Sequence, residues 1–480
     1  MTVDIEPSRA IPAHSWRRWV GLTGLLLAEA MNLLDATITT VAAPVIRADV
    51  HGSASSLQWI AATYTLPFAI ALIPGGRLGD IHGRRRILLI SLAGFLASST
   101  VCAVAPSMAV LLPARAVQGV CAGLLIPQTI GLIKAMFDGA ALGRALSLIG
   151  PVMGLTAVAG PVLGGVLTSA DIAGLSWRVV FLANLPLGLA VLGSIRFLPE
   201  DRADRKPSID VSGALIATAV AAALLVPAID ATIPPWARLA LVAVGLIGAA
   251  GLAVHMRKTR ARGRDPIVEP SLFRDRGFPA ALLSSVLYFA VSTGLVFVVV
   301  LYVQEGLGAS VLVASLTVLP FSLGLAVASL LAGQVLLART GPKLMLVGVG
   351  LLGLGCAGGV VAANLAPAAN LAPVPSLSPW LPVSLGLAGI GGGLVTVPFF
   401  TAALARVRPH ETGSAAGLLN SVQQLGGTAG VAGLGAVYLH HTGTPGGALA
   451  IVFGTCLAIA LVLAVSATAM LSSPKDVGQP

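Results

Sequence analysis

Glu29, Asn32, Asp35 and Thr39 follow one another at spacings of three, three and four within the apolar stretch Leu26 to Pro44, LLAEAMNLLDATITTVAAP. At about 100° per residue they share an arc of roughly 120° on one helix face. The chemistry open to such a stripe is proton exchange and ligand attraction. A carboxyl group shut away from water favours its neutral form, so it can load and unload a proton near neutral pH, and its charged form attracts a cation. For Glu29 a structural hydrogen bond to a neighbouring helix is the alternative. An ionised group at membrane depth costs about 2.5–3.5 kcal/mol even on lenient insertion scales, so these residues are expected to face protein or a water-filled cavity. Arg115 is another ionisable residue inside an apolar run, and its guanidinium needs an anion or several acceptors.

The elements that must hold these side chains are membrane-spanning helices. The chain has 480 residues, of which 56% are hydrophobic and only 10% charged, and 56 are glycine. A soluble domain carries about 25% charged residues, so this composition describes a polytopic all-α membrane protein. A crossing needs about 20 mostly apolar residues, and that ruler predicts fourteen spans. The net charge of +10 follows topology rather than nucleic-acid binding. With the N-terminus inside, most of the 29 Lys and Arg fall in the tails and in alternate loops, and Arg47, Arg178 and Arg238 fall on the other side. Both termini are then cytoplasmic.

The spans divide as six, two and six. We expect a cytoplasmic tail over 1–18, a six-helix bundle over 19–197, an inserted helix pair with its linkers over 198–278, a second bundle over 279–471 and a tail over 472–480. The charged links 196–210 and 257–278 contain proline and suit connectors between moving bundles. GGRLGDIHGRRR at 75–86 and AGQVLLARTGPK at 332–343 occupy equivalent places after the second helix of each six, a faint internal repeat. Cys102, Cys121, Cys356 and Cys456 lie in apolar runs without CxxC or Cys/His spacing, so neither a disulfide framework nor a metal site is expected. His440 and His441, in a predicted outer loop, are the weak exception. No Walker lysine, HExxH or nucleophile elbow is present, and no cofactor is implied.

In the 75–86 loop, Gly76, Gly83, Asp80, Arg84 and Arg85 combine glycines that permit a tight turn with an acid able to accept from Arg84. Here the chain resembles the major facilitator superfamily, whose loop between its second and third helices carries G-x-L-x-D-x-x-G-R-R. Further stretches resemble its fourteen-helix drug:proton antiporter branch. They are Leu34 to Ile38 in the first helix, Arg115 to Gly119 in the fourth, Gly150-Pro151-Val152-Met153-Gly154 and Gly160-Pro161-Val162-Leu163-Gly164-Gly165 in the fifth, Trp177 to Gly188 at the sixth, and Gly417 to Gly427 in the thirteenth.

The resemblance implies two six-helix bundles around a central site, alternating access, and export of small lipophilic or cationic compounds in exchange for protons across the inner membrane by a monomer. It makes the first and fourth helices neighbours, so Asp35 and Gln118 become candidate partners for Arg115. That pair is either a structural ion pair or a switch in which protonating Asp35 frees Arg115. Asp35, Glu29 and Arg115 are the expected proton-coupling residues. Glu29, Asn32, Gln118, Gln334, Asn420 and Gln424 are the expected cavity residues, with helix packing the alternative for the amides of the second half. Glycine and proline at 150–165 permit close approach and bending. The rival readings are a transporter for one metabolite or siderophore, and a non-transporting sensor or scaffold.

Overall fold

The computed structural model describes residues 16–202, 210–230, 232–274, 277–365, 377–404, 407–408, 412–441 and 443–472. Among these there is no strand, as expected where backbone N–H and C=O groups must be satisfied without water. The long helices are α1 (Trp16–Asp49), α2 (Ser56–His82), α3 (Arg84–Ala103), α4 (Met108–Met136), α5 (Ile149–Ser169), α6 (Asn184–Ile195, after a short helix Arg178–Leu182), α7 (Val211–Ile229), α8 (Pro235–Ala261), α9 (Gly277–Leu301), α10 (Val311–Leu331), α11 (Leu344–Asn364), α12 (Trp380–Leu404), α13 (Thr412–Leu439) and α14 (Pro445–Ser472). The protein is a multi-pass membrane protein. Twelve helical stretches among the described residues are long and apolar enough to cross a bilayer. This is fewer than the fourteen counted in the sequence. One of the twelve, Val311–Asn364, runs for 54 residues and contains both α10 and α11, whereas α13 is not among the twelve.

Packing repeats along the chain. In the first part α2 lies on α4, α3 on α4, α1 on α5 and on α6, and α3 on α6; in the last part α10 lies on α12, α11 on α12, α9 on α13 and on α14, and α11 on α14. Small residues set these approaches. A Cβ on Gly119 of α4 would sit 2.1 Å from Tyr64 O of α2, and one on Gly389 of α12 would sit 2.1 Å from Phe321 O of α10. In lipid, where water offers no drive to bury apolar surface, such backbone proximity supplies the packing. The two parts meet along α2 against α13 and α5 against α10.

The helices α7 and α8 pair with each other, and α7 also touches α2 and α13. Asp210 fastens this pair at one end. Its carboxylate caps α7 by accepting from Gly213 N (2.8 Å), accepts from Ile267 N (3.2 Å) in the following linker, and lies 2.9 Å from His255 Nε2 of α8. Burial pushes this carboxyl upward, but the hydrogen bonds from His255, Gly213, Ile267 and Ser212 outweigh it and hold the group below the usual carboxylate range. Since the folded value is depressed, the stabilisation is present above the unfolded value and is lost as pH falls through the folded one. Asp210→Ala should therefore melt at a lower temperature than wild type at pH 7. The gap should begin to close only below about pH 5, where the unfolded carboxyl starts to protonate. Thermal unfolding in detergent across pH reads both effects, and a gap that closes between pH 7 and 5 would contradict the assignment.

Candidate functional site

Asp35 and Arg115 form an ion pair deep in the first part of the bundle, with Arg115 Nη1 2.5 Å from Asp35 Oδ2 and both residues 1% exposed. Two buried amides complete it. Gln118 accepts from Arg115 Nη1 (2.8 Å) and donates through Nε2 to Asp35 Oδ1 (3.0 Å). Asn184, at the start of α6, donates to Asp35 Oδ1 (2.7 Å) and to Ser99 Oγ (2.9 Å), and Ser99 in turn donates to Phe181 O (2.9 Å). The guanidinium also stacks on Tyr64, 4.2 Å from the ring centroid. Desolvating two ions is costly unless the remaining lone pairs and protons are satisfied, and this shell satisfies most of them. Arg115 Nε alone lacks a hydrogen-bond partner.

Glu29 lies farther toward the α1 N-terminus, nearly fully buried against α4. Thr129 Oγ1 is in hydrogen-bond contact with Glu29 Oε1 and is also 2.7 Å from Ile126 O. A hydroxyl carries one hydrogen. If Glu29 is neutral it can donate to Thr129, which then donates to Ile126; if Glu29 is charged it must take the hydroxyl hydrogen for itself. The geometry therefore suits a carboxyl group that changes protonation state with little rearrangement.

A central cavity of about 200 Å³ lies between α1, α2, α9 and α13. Its wall is apolar and hydroxyl-bearing, with Thr37, Thr65, Thr293 and Thr428, the rings of Tyr64, Phe289 and Phe297, and Gln424 and Arg115. Of the expected cavity residues only Gln424 reaches it. Gln118 is sealed behind Arg115, and Asn32 accepts from Tyr64 Oη, which itself faces the void. Glu29 is occupied by Thr129, and Asn420 pairs with Gln423 (3.4 Å). Gln334 is exposed in the π turn Ala332–Leu336 that ends α10. Among the described residues no carboxylate lines this cavity, and Glu29 lies outside its wall.

The two parts of the bundle are tied together at the end holding Arg47 and Glu305, which are 3.1 Å apart. Gln304 donates to Val41 O (2.9 Å), Gln58 to Ala432 O (2.9 Å) and Ser421 to Ala69 O (2.7 Å), and Thr65 and Thr428 share a 2.6 Å hydroxyl contact. Glu305 thus cross-links the two parts. At the other end, Gly83 adopts φ 96°, a region that favours glycine, between α2 and α3. Arg84 donates to Asp80 Oδ1 (2.5 Å) and bridges to Asp201 Oδ2 (3.0 Å), while Arg85 is half-buried and a Cβ on Gly76 would lie 3.8 Å from Pro127. Gly131 leaves room for the Arg84 guanidinium, which a Cβ there would meet at 1.6 Å.

Helix α5 lies between the two parts. A Cβ on Gly160 or Gly164 would strike Thr37 or Ile38 of α1, at 2.0 and 3.2 Å, and one on Gly165 would meet Ser315 of α10 at 2.3 Å. Gly154 faces Ala326 of α10 at 3.5 Å, whereas Gly150 has open space. Pro161 removes one backbone donor within this helix, and Pro151 lies in its first turn. Sequence reasoning missed Asn184, Ser99, Tyr64 and Thr129 as partners of the charged groups. Their signal was a polar atom inside an apolar run, and Asn184 lay within the Trp177 to Gly188 stretch already singled out.

Residues 25–431 match the Major Facilitator Superfamily, and the chain belongs to that family of membrane transporters. It is similar to a probable actinorhodin transporter of Streptomyces coelicolor, 40% identical over 453 residues that cover 92% of this chain and 75% of the relative. It is also similar to the puromycin resistance protein pur8 of Streptomyces alboniger, at 34% identity with 92% and 87% covered. The tetracenomycin C resistance and export protein of Streptomyces glaucescens is 31% identical, with 89% and 77% covered. Among solved structures, a peptide transporter POT in complex with sulfate superposes with a TM-score of 0.67 at 15% identity, covering 97% of this chain and 96% of that one. That likeness concerns the fold alone.

Removing one member of the buried pair should cost far more than removing both. Asp35→Asn leaves Arg115 charged and uncompensated, with an expected loss of about 3–5 kcal/mol, and adding Arg115→Gln should restore most of it. Unfolding of the two single variants and the double variant, measured in one detergent, gives the coupling; simple additivity would show that the pair does not act as a unit.

Proposed function

We propose that this chain exports a small lipophilic compound in exchange for protons, with Asp35 and Glu29 as the proton carriers and Arg115 as the link between proton and substrate. The observation that carries the reading is that Arg115 belongs to two sites at once: it is the sole ion-pair partner of Asp35 among the described residues and it forms part of the cavity wall. Protonating Asp35 would cancel that pairing and leave the guanidinium to shift against Tyr64 and the void. The antibiotic export and resistance functions named for the relatives support the direction of transport and the type of cargo.

The cavity refines the cargo. Its three aromatic rings and its hydroxyls suit an aromatic compound with polar substituents, and Arg115, the cationic group among the described lining residues, favours a neutral or anionic one. Drug-sized ligands occupy pockets of about 300–1,000 Å³, so a void of about 200 Å³ must widen before it admits one. Separation of α2 from α13 and of α5 from α10 would widen it. The Arg47–Glu305 end is the one that the sequence assigns to the outside, so this arrangement reads as closed outward.

The proposed architecture is two six-helix bundles with α7 and α8 inserted, fourteen crossings in all, with cytoplasmic termini in a bacterial inner membrane. Two observations support fourteen: the paired packing of α1–α6 and α9–α14, and the presence of two helices in the one 54-residue stretch. The proposed transporter acts as a monomer. Each proton entering down a 100 mV potential would supply about 2.3 kcal/mol.

In inverted vesicles energised by respiration, aromatic antibiotics should accumulate with wild type and collapse when protons are equilibrated. Asp35→Asn should abolish proton-driven accumulation while leaving counterflow exchange of the same compound measurable. Unchanged gradient-driven uptake in that variant would remove Asp35 from the mechanism. Glu29→Gln should flatten the pH dependence of transport between pH 6 and 8, and an unaltered profile would assign Glu29 a structural role.

A further inference from the structure

A second cavity, of about 500 Å³, opens at the end of the molecule carrying the linker between α8 and α9. Arg257 and Arg260 in the last turns of α8, Arg274 after the linker's 3₁₀ turn, and Arg408 between α12 and α13 converge on it, with Glu269 as the one acidic residue among the described lining residues. Glu269 lies 3.5 Å from Arg260, so its charge offsets one guanidinium, and among the described lining residues arginines outnumber acids. Phe273, 46% exposed, stands among these arginines. Helix α8 is the most lipid-facing of the helices, with Ile247, Leu246 and Val254 exposed at 72%, 62% and 49%. Arg257 lies three residues past Val254, so the apolar stripe turned toward lipid ends in the mouth of the basic cavity. Guanidinium groups bind phosphate oxygens through charge-assisted, often bidentate hydrogen bonds.

We infer that this cavity binds a phosphate-bearing anion, supplied by the headgroup of an anionic phospholipid whose acyl chains lie along α8 and Phe273, or by a soluble phosphate. Nothing in the proton-coupled reading requires this site, and it stands or falls separately. Occupancy would join the inserted pair, its linker and the Arg408 segment through one anion, tying together parts that lie far apart in sequence.

The test uses the purified full chain in detergent, with bound lipid read by native mass spectrometry. Phosphatidylglycerol should bind at least about tenfold more tightly than phosphatidylcholine, and the double variant Arg257→Gln, Arg274→Gln should lose about tenfold. Arg257→Lys with Arg274→Lys should lose less, because the charge is kept and only the planar fork is removed. Arg144→Gln, an exposed arginine outside the cavity, should bind as wild type does. Inorganic phosphate at millimolar concentration distinguishes the two sources: displacement of phosphatidylglycerol assigns the site to soluble phosphate, and persistence assigns it to lipid. The inference is overturned if the glutamine double variant, eluting as a single folded species, retains phosphatidylglycerol as wild type does, or if phosphatidylcholine binds equally. Should that variant not fold, Arg274→Gln alone decides in the same way.

Discussion

A guanidinium and a carboxylate buried together within an apolar bundle impose the strictest requirement on this molecule. Neither Asp35 nor Arg115 can be held charged at membrane depth without the other, and Gln118 and Asn184, backed by Ser99, satisfy most of the hydrogen bonding around the pair. These residues come from α1, α3, α4 and α6, so four helices must keep their register to within hydrogen-bond tolerance. The close approach of α4 to α2 through Gly119 and the stacking of Arg115 on Tyr64 follow from the same requirement. A network of this kind is rigid while fully satisfied, and it has a strong reason to rearrange when one charge is removed.

The arrangement of small residues explains how rigidity within each part coexists with a seam between parts. Inside each part, glycines bring backbones together so closely that a single methyl group would collide, as at Gly119 against Tyr64 and Gly430 against Ala290. Across the seam the links are of another kind: single side-chain hydrogen bonds, hydroxyl contacts and one ion pair between half-buried groups. Such links are individually modest and can be exchanged for water or for other partners. Gly165 of α5 against Ser315 of α10 and Gly435 of α13 against Gln58 of α2 are close approaches that span the seam, so α5 and α13 are both sensitive to movement of one part against the other.

The separation of the carboxylates from the cavity has a consequence for how coupling would work on the proposed reading. Direct competition between proton and substrate for one acid is unavailable while Asp35 and Glu29 lie outside the cavity wall. The connection would run through Arg115, which pairs with Asp35 and lines the void, and through Tyr64, on which that guanidinium stacks. A protonation event would then be felt by the substrate as a change in the charge and position of the wall. This differs from simple displacement of a cation, and it is compatible with an uncharged cargo.

The amino-acid sequence by itself determined the membrane class, the helical character, the family and the glycine-rich turn at 75–86, because each of these rests on local composition or on residues adjacent in the chain. The expected acceptance of the Arg84 hydrogen bond by Asp80 is of that kind, four residues apart on consecutive turns. That Asp35 would partner Arg115 was legible only through the resemblance, which made α1 and α4 neighbours, whereas Gln118 lies one turn along the same helix. Tertiary structure decided the rest. That Asn184 would reach Asp35 across 149 positions, that Thr129 would meet Glu29 and that Glu305 would bridge to Arg47 depend on helix rotation and register, which apolar helices with little amphipathic contrast do not encode locally. The cavity shows the same limit. Asn32, Gln118, Asn420 and Gln334 looked like lining residues because they are polar within apolar runs, yet a buried amide is satisfied equally well by a neighbouring helix. Which of the two occurs is fixed by the packing of distant segments and not by the residue's own surroundings in the chain.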